Sequence, residues 1–178
     1  MNPFKKLTIF IASALALGCS SNSIPKGVTP VTNFDAARYT GTWYEIARLD
    51  HSFERGVSRV TAEYTLNPDN TLTVTNKGYS DSKQKWRQAT GKARFVSDTS
   101  TGHLKVSLFG PFYSDYIVFE LDEKNYQYAL VSGQGPDHTY LWLLARTPTI
   151  SEPLKQQLID KAKAAGFDTQ KLIMPQQF

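Results

Sequence analysis

Between Gly41 and Arg146 apolar and polar residues alternate in short runs separated by turn-forming residues. Val60, Ala62, Tyr64 and Leu66 alternate with Arg59, Thr61, Glu63 and Thr65, and Asn67-Pro68-Asp69-Asn70 supplies a hairpin turn. Leu72 and Val74 alternate with threonines before Lys77-Gly78. Gly91, Ala93 and Phe95 alternate with Lys92 and Arg94. Leu104, Val106 and Leu108 alternate with Lys105 and Ser107, ending at Gly110-Pro111. A period of two, broken by turns roughly every 8 to 15 residues, predicts antiparallel strands. Segments 41–49, 113–121, 126–132 and 138–146 bring the expected number to eight.

The last three segments differ. Tyr116 to Phe119, Tyr128 to Val131 and Tyr140 to Ala145 are apolar on both faces, so their outer side needs a cover. A helix after Ser151 supplies one: Ser151 is an N-cap, Glu152 and Pro153 suit the first turn, and Gly166 suits the end. Leu154, Leu158, Ile159 and Ala162 form its apolar stripe. An all-β, eight-stranded up-and-down antiparallel barrel with one C-terminal α-helix packed on its side satisfies this pattern, because closure removes the sheet edges. A β-sandwich with the same strand count is the alternative.

The N-terminus changes the picture. Lys5 and Lys6 precede an uncharged run from Leu7 to Leu17, and Gly18 precedes Cys19. Residues 1–18 read as a secretory signal, too short for a bilayer span of about 20 apolar residues. Cys19 is the single cysteine, so no internal disulfide is available. Leu15-Ala16-Leu17-Gly18-Cys19 resembles the lipobox of bacterial lipoproteins, which implies cleavage before Cys19 and acylation of its sulfur and nitrogen; an ordinary signal with a stray cysteine is the alternative. At about 0.8 kcal/mol per buried CH₂, several acyl chains make a permanent anchor. Ser20 resembles the sorting signal for the outer membrane. Residues 19–33 are expected to be the lipidated N-terminus and a flexible tether, and residues 34–178 a single domain.

Charge narrows the function classes. Formal net charge is +4, and loss of Lys5 and Lys6 leaves +2 (four less two), without a cationic cluster suited to nucleic acid.

Gly41-Thr42-Trp43-Tyr44 resembles the Gly-x-Trp signature on the first strand of lipocalins, and Leu143-Leu144-Ala145-Arg146 resembles that family's block at the end of the eighth. The family's middle motif survives here as Tyr126 of Asp122-Glu123-Lys124-Asn125-Tyr126. The runs from Asn33 through Arg48, Phe53 to Gly56, Phe109 to Tyr113 and Arg146 to Pro148 are similar to bacterial outer-membrane lipocalins, over roughly residues 33–175. The resemblance implies that Gly41, Trp43 and Arg146 are structural, with the Arg146 guanidinium lying on the Trp43 indole at the closed end. It also implies a lipid anchor in the outer membrane, a domain facing the periplasm, and fatty acids or lysophospholipids as cargo for storage, transport or membrane maintenance.

The resemblance implies that Trp43 and Arg146 fix the inner face, and counting by twos from them then places Glu45, Ala47, Tyr140, Trp142 and Leu144 inside. The cleaner apolar sets add Ala62, Tyr64, Val74, Asn76, Gly91, Ala93, Val106, Leu108, Tyr116, Val118, Ala129 and Val131. An eight-stranded barrel either fills itself or holds one small ligand. The small residues Ala47, Ala62, Gly91, Ala93 and Ala129 favour a hollow one; bulky neighbours plugging it is the alternative. The ligand-binding residues are expected to be Glu45, Ala47, Ala62, Tyr64, Val74, Asn76, Val106, Leu108, Tyr116, Val118, Tyr140 and Trp142. Glu45, acidic on an apolar lining, either pairs with a neighbour or, with Asn76, Tyr64, Tyr116, Tyr140 and Trp142, receives a polar or cationic head group. Phe53, in the loop over the open end, either enters lipid or packs on the rim.

Catalysis finds little support. His51, His103 and His138 share no metal-ligand spacing, Asp50-His51 and Asp137-His138 read as solvated loop pairs, and no nucleophile elbow or nucleotide loop occurs. No metal, cofactor or catalytic residue is expected, and the interior suits neither haem nor a siderophore. An envelope interaction or inhibitor module acting through the barrel surface is the second reading, and a homodimer is a possible partner state.

Overall fold

The computed structural model describes residues 24–108, 110–134 and 139–177. Eight strands form the barrel: β1 (Gly41–Leu49), β2 (Val57–Leu66), β3 (Leu72–Ser80), β4 (Lys85–Phe95), β5 (His103–Ser107), β6 (Ser114–Leu121), β7 (Tyr128–Gln134) and β8 (Thr139–Ala145). Each pairs antiparallel with the next, and β1 pairs with both β2 and β8, which closes the cylinder. Closure excludes the sandwich. A short helix α1 (Ala36–Tyr39), capped by Asp35 accepting the amide N–H groups of Ala37 and Arg38, precedes β1. Helix α2 (Glu152–Ala164) follows β8, and a two-residue strand β9 (Leu172–Ile173) adds to the outer end of β1. The signal stretch, Cys19, Phe109 and the Asp137-His138 pair lie outside the described residues.

Two apolar clusters sit on opposite sides of the barrel wall. The inner one gathers Trp43, Tyr39, Phe34, Tyr64, Leu72, Leu104, Val118, Ala129 and Val131 and fills the end where β1 begins. The outer one joins Leu130, Leu141, Leu143 and Ala145 to Leu158 and Ala162 of α2. The double-faced hydrophobicity of the late strands is thus explained by the helix, whose N-cap Ser151 accepts the Leu154 amide and whose end lies at Gly166, φ +95°. Ile159 is only half-buried on the flank of that stripe.

Arg146 lies 4.0 Å over the Trp43 ring and donates to the carbonyls of Tyr126, Thr42 and Arg38. Tyr126 completes the knot: its hydroxyl accepts the Asp35 amide and its ring carries the Arg38 guanidinium at 4.1 Å. Three distant sequence motifs therefore seal one end, with three backbone carbonyls served by a single guanidinium.

Several expectations need correction. Ala47 faces outward, into the cluster beneath α2. The β1–β8 register shifts between Glu45 and Ala47, so a bulge at Ile46 inverts the alternation and turns Arg48, opposite Trp142, toward the inside. Gly91 provides no space, because a Cβ there would stand 2.0 Å from the Ser107 carbonyl oxygen; the glycine permits close approach of β4 and β5. Residues 24–33 do not form a free tether. Val28 is buried, Val31 exchanges backbone hydrogen bonds with Val118 and Gly102, and Gly27 sits directly on Ala165.

Candidate functional site

Above the packed end the barrel encloses a cavity of about 290 Å³, open toward the loops that follow β1, β3 and β5. That is near the lower end of small-molecule sites, which run from about 300 to 1,000 Å³. Its walls come from Val60, Ala62 and Tyr64 on β2, Val74 and Asn76 on β3, Val106 and Leu108 at β5, Tyr116 on β6, and Tyr140, Trp142 and Leu144 on β8, with Glu45 from β1. Phe53, Glu54 and Phe112 stand at the mouth. Ten of the twelve expected ligand-binding residues line this space. Ala47 does not, for the reason given. Val118 points inward but is fully buried in the packed floor, beneath the cavity. Ala93 and Ala129 belong to that floor as well, so Ala62 alone among the expected small residues opens the cavity.

The polar groups are segregated. At the floor, the Tyr116 hydroxyl bridges those of Tyr64 at 2.7 Å and Tyr39 at 2.8 Å. Burial raises the pKa of all three, so they stay neutral hydrogen-bonding groups. Nearer the mouth, Glu45 Oε1 accepts from Arg48 Nη1 at 2.5 Å, and Arg48 Nη2 reaches the carbonyls of Glu54 and Val57. The Trp142 indole N–H donates to Glu54 Oε2 at 3.1 Å, and His51 Nε2 stands 2.8 Å from that oxygen, close but not aligned as a hydrogen bond.

Two carboxylates in one buried site cannot both hold full charge cheaply. Burial, then the charge of Glu54, pushes the Glu45 carboxyl well above its ordinary value, against the pull of Arg48. Glu54 also suffers burial, but contacts with His51, Trp142 and Arg48 outweigh it and hold its carboxyl below the ordinary value. Glu45 therefore has the neighbour that its burial demanded, and the cluster presents little spare negative charge.

Sequence reasoning missed Glu54 and the burial of His51. Asp50 is a surface residue paired with Arg55, whereas His51 is only 2% exposed and packs against Phe53, Tyr140 and Trp142. Phe53 packs on the rim, its ring 5.7 Å from Tyr140. No local signal distinguishes a solvated loop histidine from one covered by distant rings.

The family model described as a lipocalin-like domain matches residues 34–177. The chain is 50% identical over 173 residues to outer membrane lipoprotein Blc of Vibrio cholerae, covering 97% of this chain and 99% of that one. It is 54% identical over 166 residues to the protein of the same name from Citrobacter freundii, covering 93% and 92%. Among solved structures, insecticyanin from the tobacco hornworm Manduca sexta superposes with a TM-score of 0.69 at 23% identity, covering 83% of each chain, which speaks to the fold alone.

Proposed function

From the premise that this chain belongs to the lipocalin-like domain family, we propose that it is an outer-membrane lipoprotein, acylated at Cys19, that carries a fatty acid or lysophospholipid in its barrel. The observation that carries the reading is the cavity itself: a mostly apolar lining that includes Val60, Ala62, Val74, Val106, Leu108 and Leu144, and a few polar groups, Glu45, Glu54 and Asn76 among them. A single acyl tail fits the first and a polar end the second. Removing residues 1–18 leaves an anchored domain, and the relatives' names agree with attachment to the outer membrane. Native mass spectrometry of gently extracted protein is the test. A bound mass of a few hundred daltons is expected; a ligand-free barrel with a co-purifying envelope protein would point instead to an interaction module.

Glu45 is assigned to the polar end of the ligand, with the Tyr140 and Trp142 rings of the neighbouring strand β8 also on the cavity lining. Its partial neutralisation by Arg48 makes the contact a hydrogen bond more than an ion pair. Glu45→Gln is expected to weaken lysophosphatidylcholine relative to a fatty acid by about five-fold, roughly 1 kcal/mol. An unchanged ratio of the two affinities, measured by calorimetry, removes Glu45 from the recognition site.

A further inference from the structure

Among the described residues six large apolar side chains are exposed, and three of them, all aromatic, stand on loops of the open end. Trp86 is 50% exposed near the β3–β4 turn, and Phe112 is 79% and Tyr113 43% exposed in the β5–β6 loop. They come from two neighbouring loops of the cavity mouth. Scattered apolar residues need no explanation, but a concentration around one rim does.

The β3–β4 hairpin sharpens the point. β3 and β4 stay paired as far as Ser80 and Lys85, whereas β5 meets β4 only from Lys92 onward. Residues 85–91 therefore extend about 20 Å beyond the β5 edge, at roughly 3.3 Å per residue. Within residues 77–88 there are four cations, Lys77, Lys83, Lys85 and Arg87, against one carboxylate, Asp81. That net of +3 exceeds the +2 of the whole chain after Lys5 and Lys6, so the remainder is slightly acidic and the positive charge is local. Cation and ring lie together: Lys77 Nζ is 4.6 Å from the Trp86 centroid, and Trp86 is 5.6 Å from Tyr79.

We propose that this open end docks on an anionic phospholipid surface. Trp86 and the rim apolar side chains enter the headgroup layer while the hairpin cations meet lipid phosphates, so that the cavity mouth faces the bilayer. Amphipathic rings favour that depth, and lysine or arginine near an anionic surface adds affinity that fades with salt. A protein partner would meet the same rings, but the local excess of cations on a projecting hairpin matches a uniformly anionic sheet.

The full chain is reconstituted in vesicles of phosphatidylcholine, with or without phosphatidylglycerol, and protein-free vesicles of either composition are added. One set at a time carries brominated acyl chains. Trp86 emission is isolated by difference from Trp86→Phe. Quenching and a blue shift are expected wherever phosphatidylglycerol is present, in the chain's own membrane or the added one. Each cation contributes about five-fold to partitioning, so Lys83→Glu with Lys85→Glu lowers docking by about 25-fold or more. Neither residue lines the cavity, so cargo binding in detergent stays unchanged. Trp86 unquenched in every lipid mixture overturns the proposal. So does protection of Trp86 that rises with protein concentration without lipid, which assigns the rim to a second copy of the chain.

Discussion

Replacing Ala62 with tryptophan is expected to abolish acyl-lipid binding while leaving the barrel folded. Ala62 lies on β2 between Trp43 of β1 and Asn76 of β3, above the packed floor, with its methyl group on the cavity wall. An indole there projects across a space of about 290 Å³ and takes the room of several methylenes of any guest. Each methylene kept out of the barrel forfeits about 0.8 kcal/mol. Excluding four or five costs about 3–4 kcal/mol, a 100- to 1,000-fold loss of affinity. The new ring fills a cavity instead of overpacking a core, so thermal stability changes little and near-ultraviolet circular dichroism persists. Titration with a fluorescent fatty acid checks both halves. Undiminished affinity in a folded Ala62→Trp chain would mean that the guest binds elsewhere, and the carrier reading would fall with it.

The sequence patterns that were legible share one physical property: one face of the element meets the core and the other meets water. That holds for β2, for the start of β3 and for the stripe of α2, and there the alternation forecast inside and outside correctly. It fails where this asymmetry is absent. Residues 81–88 are exposed on both faces, so β4 begins at Lys85 although its alternation becomes visible only at Gly91. The bulge at Ile46 left a faint trace, the two adjacent apolar residues Ile46 and Ala47 between Glu45 and Arg48. A register slip of one residue is enough to exchange Ala47 for Arg48 on the inner face. The cavity itself was inferred from small residues, most of which the structure uses otherwise. The hollow arises because packing stops above Tyr64 and Tyr116. Trp43, Arg146 and Tyr126 are recognisable as motifs, but the contacts by which they close one end together arise only on folding.

Arg48→Met is expected to be the most destabilising single change near the cavity, with a cost that grows as pH rises. Arg48 is 2% exposed, and its guanidinium serves Glu45 and two backbone carbonyls at once. Methionine keeps much of the volume but abandons a carboxyl pair and two acceptors in a dry site. Breaking a buried pair in this way costs about 3–5 kcal/mol. The pH dependence follows from the direction of the Glu45 shift. Its folded pKa lies above the ordinary 4.5, so the folded state holds a proton that the unfolded chain releases first. Stability from this group is therefore complete below about pH 4.5 and declines as pH climbs through the folded value. Without Arg48 the folded value rises further and the decline continues longer. Glu54 works in the opposite sense, since its lowered pKa yields stability above the ordinary value that is lost on acidification, and its main stabilising contacts with His51 and Trp142 survive the substitution. Urea unfolding of both chains at pH 5 and pH 8 should accordingly show a larger deficit for Arg48→Met at pH 8. Adding Glu45→Gln should shrink the pH-dependent part, because the neutral amide has no charge to strand. A deficit equal at both pH values, or untouched by Glu45→Gln, would show that Arg48 stabilises the barrel through its carbonyl contacts and not by neutralising the carboxyl pair.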